Sequence, residues 1–383
     1  MGRDIQYPIN TGLVGLGVLS QTSLLPHFAT EDTKKKMNLV AVCDIDELRA
    51  KQTAEEYHIP EYYTSLDSML KQAPLDAVLL CTPTAIHYNQ AKKSLNAGLH
   101  VYLQKPIATS SAQAQNLIDI AKNQNLVMVA SPEQIINPTF QKARQLVLDG
   151  AIGPVFWSLC VTDHPGPQLE EGRLGEGPKN KVDPSWWFKK GAGPVYNMSV
   201  YTLHAITSIL GPVKNVIALS GQRLAHKEWM GTEIKVEIDD NTLMLLDFGN
   251  NIFSMVSGCA AHPGEKVSWG HMSIFGAEGA LEIYSTNPTE PNFMNEINHV
   301  GGKKYTFDDF GPYIPPNHTT IKFPFIYGDI MHFLKCVSEG ENPQEFGKQA
   351  CHVVEVIEKA YRSASTGSSQ KISSGFEAEK LVP

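Results

Sequence analysis

The sequence predicts an α/β protein: a doubly wound parallel sheet in the first third, then a second domain with a mostly antiparallel sheet. Three observations predict it. Short, continuously apolar runs alternate with amphipathic helical stretches up to residue 131. Glycines close the first of those runs. Beyond residue 131 the pattern changes to one helix followed by a series of strand-like runs. At 383 residues and 42% hydrophobic content the chain exceeds one ordinary core, so two domains are expected, 1–131 and 132–383.

Taken in order, 11–17 (TGLVGLG) is an apolar strand running into glycines, and 38–44 (NLVAVCD) is a second strand ending in a carboxylate. Segments 75–83, 99–106 and 126–131 read as three more buried strands. Amphipathic helices fit 46–57 and 110–123 between them. A helix at 137–149 stops at Gly150, and a strand follows at 154–162. Segment 163–184 is long, polar and rich in Gly, Pro and charge, a composition common in functional loops. A second helix fits 195–210 and ends at Gly211-Pro212. Strand-like runs lie at 213–219, 242–248, 251–258, 271–275 and 280–284, and a last helix at 347–365. The tail 368–383 reads as loosely ordered.

The formal net charge is −8, and the one basic cluster, Lys34-Lys35-Lys36, has no aromatic interleaving. Those features exclude a phosphate-tracking surface, so no nucleic-acid partner is expected. No apolar run reaches membrane-spanning length, and the first residues lack a signal-peptide pattern. Cys43, Cys81, Cys160, Cys259, Cys336 and Cys351 form no CxxC and no Cys/His cluster. No metal site is expected, and a reducing, cytoplasmic setting is.

Gly15-x-Gly17-x-x-Ser20 follows a strand and opens a helix. The glycines allow a tight turn and close approach to a pyrophosphate, and the helix start at Val18 and Leu19 offers free N–H groups to it. Asp44 ends the next strand, where a carboxylate accepts hydrogen bonds from the adenosine ribose and repels a 2′-phosphate. No Arg follows Asp44 directly. The expected cofactor is therefore NAD rather than NADP, on a Rossmann domain.

Three further stretches carry a resemblance: Cys81-Thr82-Pro83-Thr84-Ala85-Ile86-His87, then Ala97-Gly98-Leu99-His100-Val101, then Gln104-Lys105-Pro106-Ile107-Ala108. With Asp149-Gly-Ala-Ile-Gly153 and the run Gly191 to His204, which contains Asn197 and Tyr201, they resemble the Gfo/Idh/MocA oxidoreductases. The resemblance implies a Rossmann domain followed by an α/β domain with a large open sheet. It also implies nicotinamide near Lys105, with Thr82, His87 and Gln104 on the cofactor side, and a homo-oligomer (dimer or tetramer) joined through that sheet. Three positions depart from the family pattern: Gln104 stands for the usual Glu, Asn197 for the frequent Asp, and Ser199 for a Gly.

Oxidising an alcohol needs a group that takes the hydroxyl proton. Lys105 is the first candidate, held at a strand end before Pro106, where burial and a neighbouring positive nicotinamide would favour its neutral amine. Asn197, Tyr201, His204 and Ser208 fall at helical spacing and predict a polar stripe facing the site. Tyr201, its phenolate favoured by a Lys105 ammonium, and His204 stand as alternative acid/base groups. Asn197, Trp186, Trp187 and His164 are the substrate candidates; one Trp is expected to stack on a sugar and the other to anchor the loop. His87 is expected to bond backbone near the cofactor. The function expected is an NAD-dependent dehydrogenase of a sugar, glycoside or polyol. An NAD-dependent glycoside hydrolase using transient oxidation and a non-catalytic sugar or NAD sensor are the alternatives.

Overall fold

Six short strands make the first sheet: β1 (Ile9–Val14), β2 (Met37–Cys43), β3 (Glu61–Tyr63), β4 (Ala77–Leu80), β5 (His100–Leu103) and β6 (Met128–Ala130). Their order is β3-β2-β1-β4-β5-β6 and every pairing is parallel. β4 is buried at all of its positions, as a strand covered on both faces must be. β3 is three residues on the sheet edge, too short to leave a pattern in the sequence. The computed structural model describes residues 6–132, 134–262, 269–285, 295–299, 304–305, 314–341 and 343–378.

The crossovers carry helices α1 (Leu25–Phe28), α2 (Glu31–Lys34), α3 (Glu47–Tyr57), α4 (Leu66–Gln72), α5 (Thr84–Asn96) and α6 (Ser111–Asn123). Local chemistry sets their starts. The Asp46 side chain caps α3 by accepting the Arg49 N–H at 3.0 Å, and Ser110 caps α6 through Gln113. The helix leading into α1 has π geometry over Ser20–Leu24.

The second region opens with α7 (Pro138–Leu148), where Asn137 caps and Pro138 takes the first helical position. Then come β7 (Val155–Val161), α8 (Val200–Leu210), β8 (Asn215–Gly221), β9 (His226–Trp229), β10 (Thr232–Lys235), β11 (Asn241–Gly249) and β12 (Ile252–Cys259). After them follow β13 (His271–Gly276), β14 (Ala280–Ser285), β15 (Asn295–His299), β16 (Lys304–Tyr305), α9 (Phe325–Glu339), α10 (Gln344–Thr366) and β17 (Gln370–Lys371). Nine strands form one sheet in the order β16-β15-β14-β13-β7-β12-β11-β8-β17, antiparallel throughout except for β7 with β12. The predicted α/β class and mostly antiparallel second sheet are both present. β9 and β10 make a separate hairpin that had no sequence expectation.

Burial alternates along β11. Thr242, Met244, Leu246 and Phe248 face inward, where Met244, Leu246 and Phe248 join the core containing α8 and α10. The other face is open: Leu243 lies opposite Leu219, Leu245 opposite Ile217, and Phe253 opposite Trp157, and all six are exposed.

Two expectations are corrected. First, α9 was not anticipated, because Gly328 and Asp329 are poor helix formers near its start. Its Ile330, Phe333, Leu334 and Val337 nonetheless recur on one face and complete the core of the first sheet. Second, the tail is ordered as far as residue 378. β17 pairs with β8, Ile372 and Phe376 are buried, and the Glu355 carboxylate accepts the N–H groups of Ser373 and Ser374 at 3.0 and 2.7 Å. Residues 379–383 lie outside the described residues.

Candidate active site

The carboxyl ends of β1, β2, β4 and β5 lie side by side along one edge of the parallel sheet. Gly15 leaves β1 with φ +87°, and an added Cβ there would run into the Cys81 carbonyl, so only glycine fits. Gly17 differs: a Cβ would meet nothing nearer than Val182 at 3.9 Å, so the space before it is open. The Ser20 hydroxyl donates to the Gly15 carbonyl at 2.6 Å and ties the turn to the helix, whose first N–H groups at Val18 and Leu19 have no intrahelical partners. Asp44 follows β2 and accepts the Leu16 N–H at 2.8 Å. An open glycine, a helix start and a carboxylate at the second strand end fit a dinucleotide.

Arg49 adds what the sequence reading missed. Its Nη1 donates to Asp44 Oδ1 at 2.9 Å, its Nη2 lies 3.3 Å from Asp46 Oδ2, and its Nε donates to the Pro178 carbonyl at 2.7 Å. No Arg follows Asp44 directly in the sequence, yet the fold brings Arg49 against its carboxylate. Arg49 stands five residues on, in the first turn of α3, and the turn returns it to the strand end. That spacing was the available signal.

Lys105 lies two residues beyond β5. Its Nζ donates to the Asn197 backbone carbonyl at 2.5 Å and sits 4.3 Å from the centre of the Tyr201 ring. Burial pushes its pKa down to about 7, against smaller opposing pulls from Glu170 and Cys81. Among the described residues it makes no ion pair. Asn197 belongs to a π-helical turn, Val195–Ser199, that leads into α8, and its Oδ1 is buried without a partner among the described residues. Such turns recur at functional sites because the widened ladder redirects side chains.

That π turn also corrects the polar stripe. Asn197 and Tyr201 meet Lys105, but α8 is buried nearly all round, and His204 and Ser208 belong to its packing. The Ser208 hydroxyl donates to the Ala205 carbonyl, and Gln349 of α10 donates to the His204 carbonyl. Burial first, with His352 adding, lowers the His204 pKa to about 4 despite a Gln349 hydrogen bond. The Tyr201 phenolate expectation is also corrected. Burial, then Asp329, Cys81 and Glu170, push its hydroxyl upward, and Lys105 meets the ring face. Asp329, on α9, and Glu170, inside the long loop, went unnoticed in the sequence because each reaches the site only through the fold.

His87 bonds backbone with both ring nitrogens, Nδ1 2.8 Å from the Pro106 carbonyl oxygen and Nε2 2.6 Å from that of Thr82. It thus clamps the loop after β4 to the loop after β5. The Thr82 hydroxyl donates to Gln90, and the Gln104 amide donates to the Tyr102 hydroxyl in the core. The His164 Nδ1 accepts the Gly166 N–H at 3.1 Å. Burial lowers its pKa, Glu170 opposes this, and Lys105 and His262 add to it. Trp187 is buried in a cluster with Phe188, Ile234, Val236 and Ile238, and so anchors the loop to β10; Trp186 is only partly covered there. Among the described residues no cluster of His, Cys, Asp or Glu could hold a metal, and no helix is long and apolar enough to cross a membrane.

A sequence model described as an oxidoreductase family with an NAD-binding Rossmann fold matches residues 9–131, and the GFO/IDH/MocA C-terminal domain matches 140–282. The chain belongs to the Gfo/Idh/MocA oxidoreductase family. Its relatives include the D-glucoside 3-dehydrogenase of Escherichia coli K12, 27% identical over 231 residues, which are 58% of this chain and 61% of that protein. The chain thus spans about three fifths of that relative's length. The D-xylose 1-dehydrogenase (NADP(+)) 2 of Haloferax volcanii is 20% identical over 94% of this chain and 99% of its own. Among solved structures, aldose-aldose oxidoreductase from Caulobacter crescentus superposes with a TM-score of 0.74 at 20% identity, over 95% of this chain and 99% of that one. Levoglucosan dehydrogenase in complex with NADH and L-sorbose gives 0.74 at 17%, with the same coverage. At these identities the likeness of this Gfo/Idh/MocA chain to both structures is one of fold.

Proposed function

We propose that this oxidoreductase is an NAD-dependent dehydrogenase that oxidises a hydroxyl carbon of a sugar, glycoside or polyol. One observation carries the reading: a half-buried lysine, held by a backbone carbonyl and an aromatic face, whose pKa has fallen to about 7 beside a glycine turn built for a dinucleotide. A general base works best with a pKa near the operating pH. The neutral Lys105 amine takes the hydroxyl proton. Asn197, with a buried acceptor unused, and His164, whose bond from Gly166 leaves Nε2 as the ring donor, orient the hydroxyls. A bound dinucleotide would supply the hydride acceptor. The named sugar dehydrogenases among the relatives support a sugar substrate, and Asp44 supports NAD. His204 is left as packing, and Tyr201 as the lid over Lys105.

The division of labour we propose puts the dinucleotide on 1–131 and substrate and subunit contacts on 132–383. The open sheet face with Trp157, Ile217, Leu219, Leu243, Leu245 and Phe253 is an apolar patch of the kind that marks association, and it supports a dimer or tetramer of this chain. Sedimentation of Leu219→Asp/Leu245→Asp against wild type tests that face. The six free cysteines support a reducing, cytoplasmic setting.

The decisive experiment follows reduced cofactor by its absorbance across sugars, inositols and glycosides, with NAD and NADP in parallel. Turnover should fall about 10²- to 10⁴-fold in Lys105→Ala, the range a general base contributes. Turnover unchanged in that variant would remove Lys105 from the chemistry. Aglycone release that needs NAD without net reduction would point to the hydrolase, and binding without any turnover to the sensor.

A further inference from the structure

Segment 163–184 crosses from the second sheet to the cofactor face of the first. It is a folded unit. Arg173, buried, pairs with Glu170 at 2.8 Å and donates to the Val182 carbonyl at 3.2 Å, and the Trp229 indole donates to the Arg173 carbonyl at 3.2 Å. This unit lies on the dinucleotide turn. A Cβ at Gly172 would stand 2.8 Å from the Val18 side chain, and Val182 faces Gly17. Further along, Lys179 forms an ion pair with Glu56 of α3, and the Pro178 carbonyl accepts from Arg49.

Arg49 is where the segment and the adenosine end meet. Three edges of one planar guanidinium are engaged: Nε by Pro178, Nη1 by Asp44 and Nη2 by Asp46. Asp44 in turn holds the Leu16 N–H inside the glycine turn. A rigid fork of donors loses little freedom per hydrogen bond, so such a junction is firm, and lysine, a point charge, makes it less well. The side chain is 12% exposed, so solvent screens the pairs only partly.

We propose that Arg49 is a cofactor-positioning residue that latches segment 163–184 across the adenosine end of the dinucleotide site. The bound dinucleotide then leaves only after the latch opens, and its residence, rather than the proton transfer at Lys105, is what Arg49 sets. The proposal rests on the dinucleotide reading above.

The test follows NADH release from the full chain by loss of its fluorescence after mixing with excess NAD, in wild type, Arg49→Ala, Arg49→Lys and Lys179→Ala. Arg49→Ala should release NADH about tenfold faster or more, a change worth about 1.4 kcal/mol. Arg49→Lys should recover part of the slow release. Lys179→Ala, at a more exposed pair on the same segment, should speed release by a smaller factor and serves as the readout if Arg49→Ala does not fold. Limited proteolysis within 174–181 should be slowed by NADH in wild type and less so in Arg49→Ala. Equal release rates in wild type and in the folded variants would overturn the latch. Failure of wild type to bind either NADH or NADPH would instead remove the dinucleotide reading and the latch with it.

Discussion

Lys105 and Arg49 are both basic residues withdrawn from solvent beyond the carboxyl ends of the first sheet, and their surroundings treat them in opposite ways. Arg49 is given two carboxylates, Asp44 and Asp46, and a carbonyl. Lys105 is given a carbonyl and an aromatic face, and Glu170 acts on it only as a lesser influence than burial. A guanidinium stays charged in any protein setting, so pairing makes Arg49 a fixed clamp. An ammonium deprived of a close carboxylate gives up its proton near neutrality, so burial fits Lys105 for the proposed role of base. Two of the three departures from the family pattern lie on this contrast. Gln104 and Asn197 stand where the family pattern has carboxylates, and Asn197 is the residue whose backbone carbonyl holds the Lys105 Nζ.

Three changes test the contrast, and the largest effect belongs to the clamp. Asp44→Asn removes the charge that faces Arg49, and in the proposed reading would face a ribose 2′ position, while keeping an acceptor for Leu16. Arg49 would then confront a 2′-phosphate with one carboxylate fewer. The ratio of NADPH to NADH affinity should rise about tenfold or more, about 1.4 kcal/mol. Titration of each nucleotide by fluorescence measures it. An unchanged ratio would mean that Asp44 does not read the ribose, and Arg49 and Lys105 could no longer be compared as parts of one cofactor site.

The second change gives Lys105 what Arg49 has. Asn197→Asp places a carboxylate on the residue whose own carbonyl holds the lysine Nζ. An opposite charge brought near a buried lysine favours the ammonium. In wild type the base form is present above about pH 7, so sugar oxidation should rise as pH increases through that value. In the variant the midpoint should move up by about one pH unit or more. The pH profile of kcat/KM reads this directly, and a midpoint that stays in place would show that burial alone governs Lys105.

How much of this contrast was legible in the sequence follows from range. The glycine turn, Asp44 and the Lys105-Pro106 strand end were legible because each is a local pattern on a buried strand. The strand-like runs at 213–219, 242–248 and 251–258, which became β8, β11 and β12, were legible for the same reason. What failed was longer in range. The π turn at Val195–Ser199 breaks a count of three and four, so Asn197 and His204 read as one stripe when the fold separates them. Gly328 and Asp329 hid α9, whose helix is maintained by the sheet it covers, and Ser373 and Ser374 gain order only from Glu355 on α10. Arg49 and Glu170 are ordinary surface letters until the chain folds Pro178 onto one and Lys105 near the other.

Glu170 provides the smallest and most discriminating change. Its carboxylate is the larger of the two influences that raise the Lys105 pKa, and it is already shared with Arg173 at 2.8 Å. The side chain is 39% exposed, so water screens its hold on the lysine and the effect must be modest. Glu170→Gln keeps the size and removes the charge. With that pull gone, the ammonium is less favoured, so the midpoint of the oxidation profile should fall by a few tenths of a pH unit. The direction is what matters. Asn197→Asp adds negative charge near Lys105 and moves the midpoint up, and Glu170→Gln subtracts it and moves the midpoint down. Loss of that negative charge lowers Lys105 and Tyr201 alike, so a fall fits either group, whereas a rise would mean that the group titrating in the profile is neither of them and would exclude Lys105 as the base.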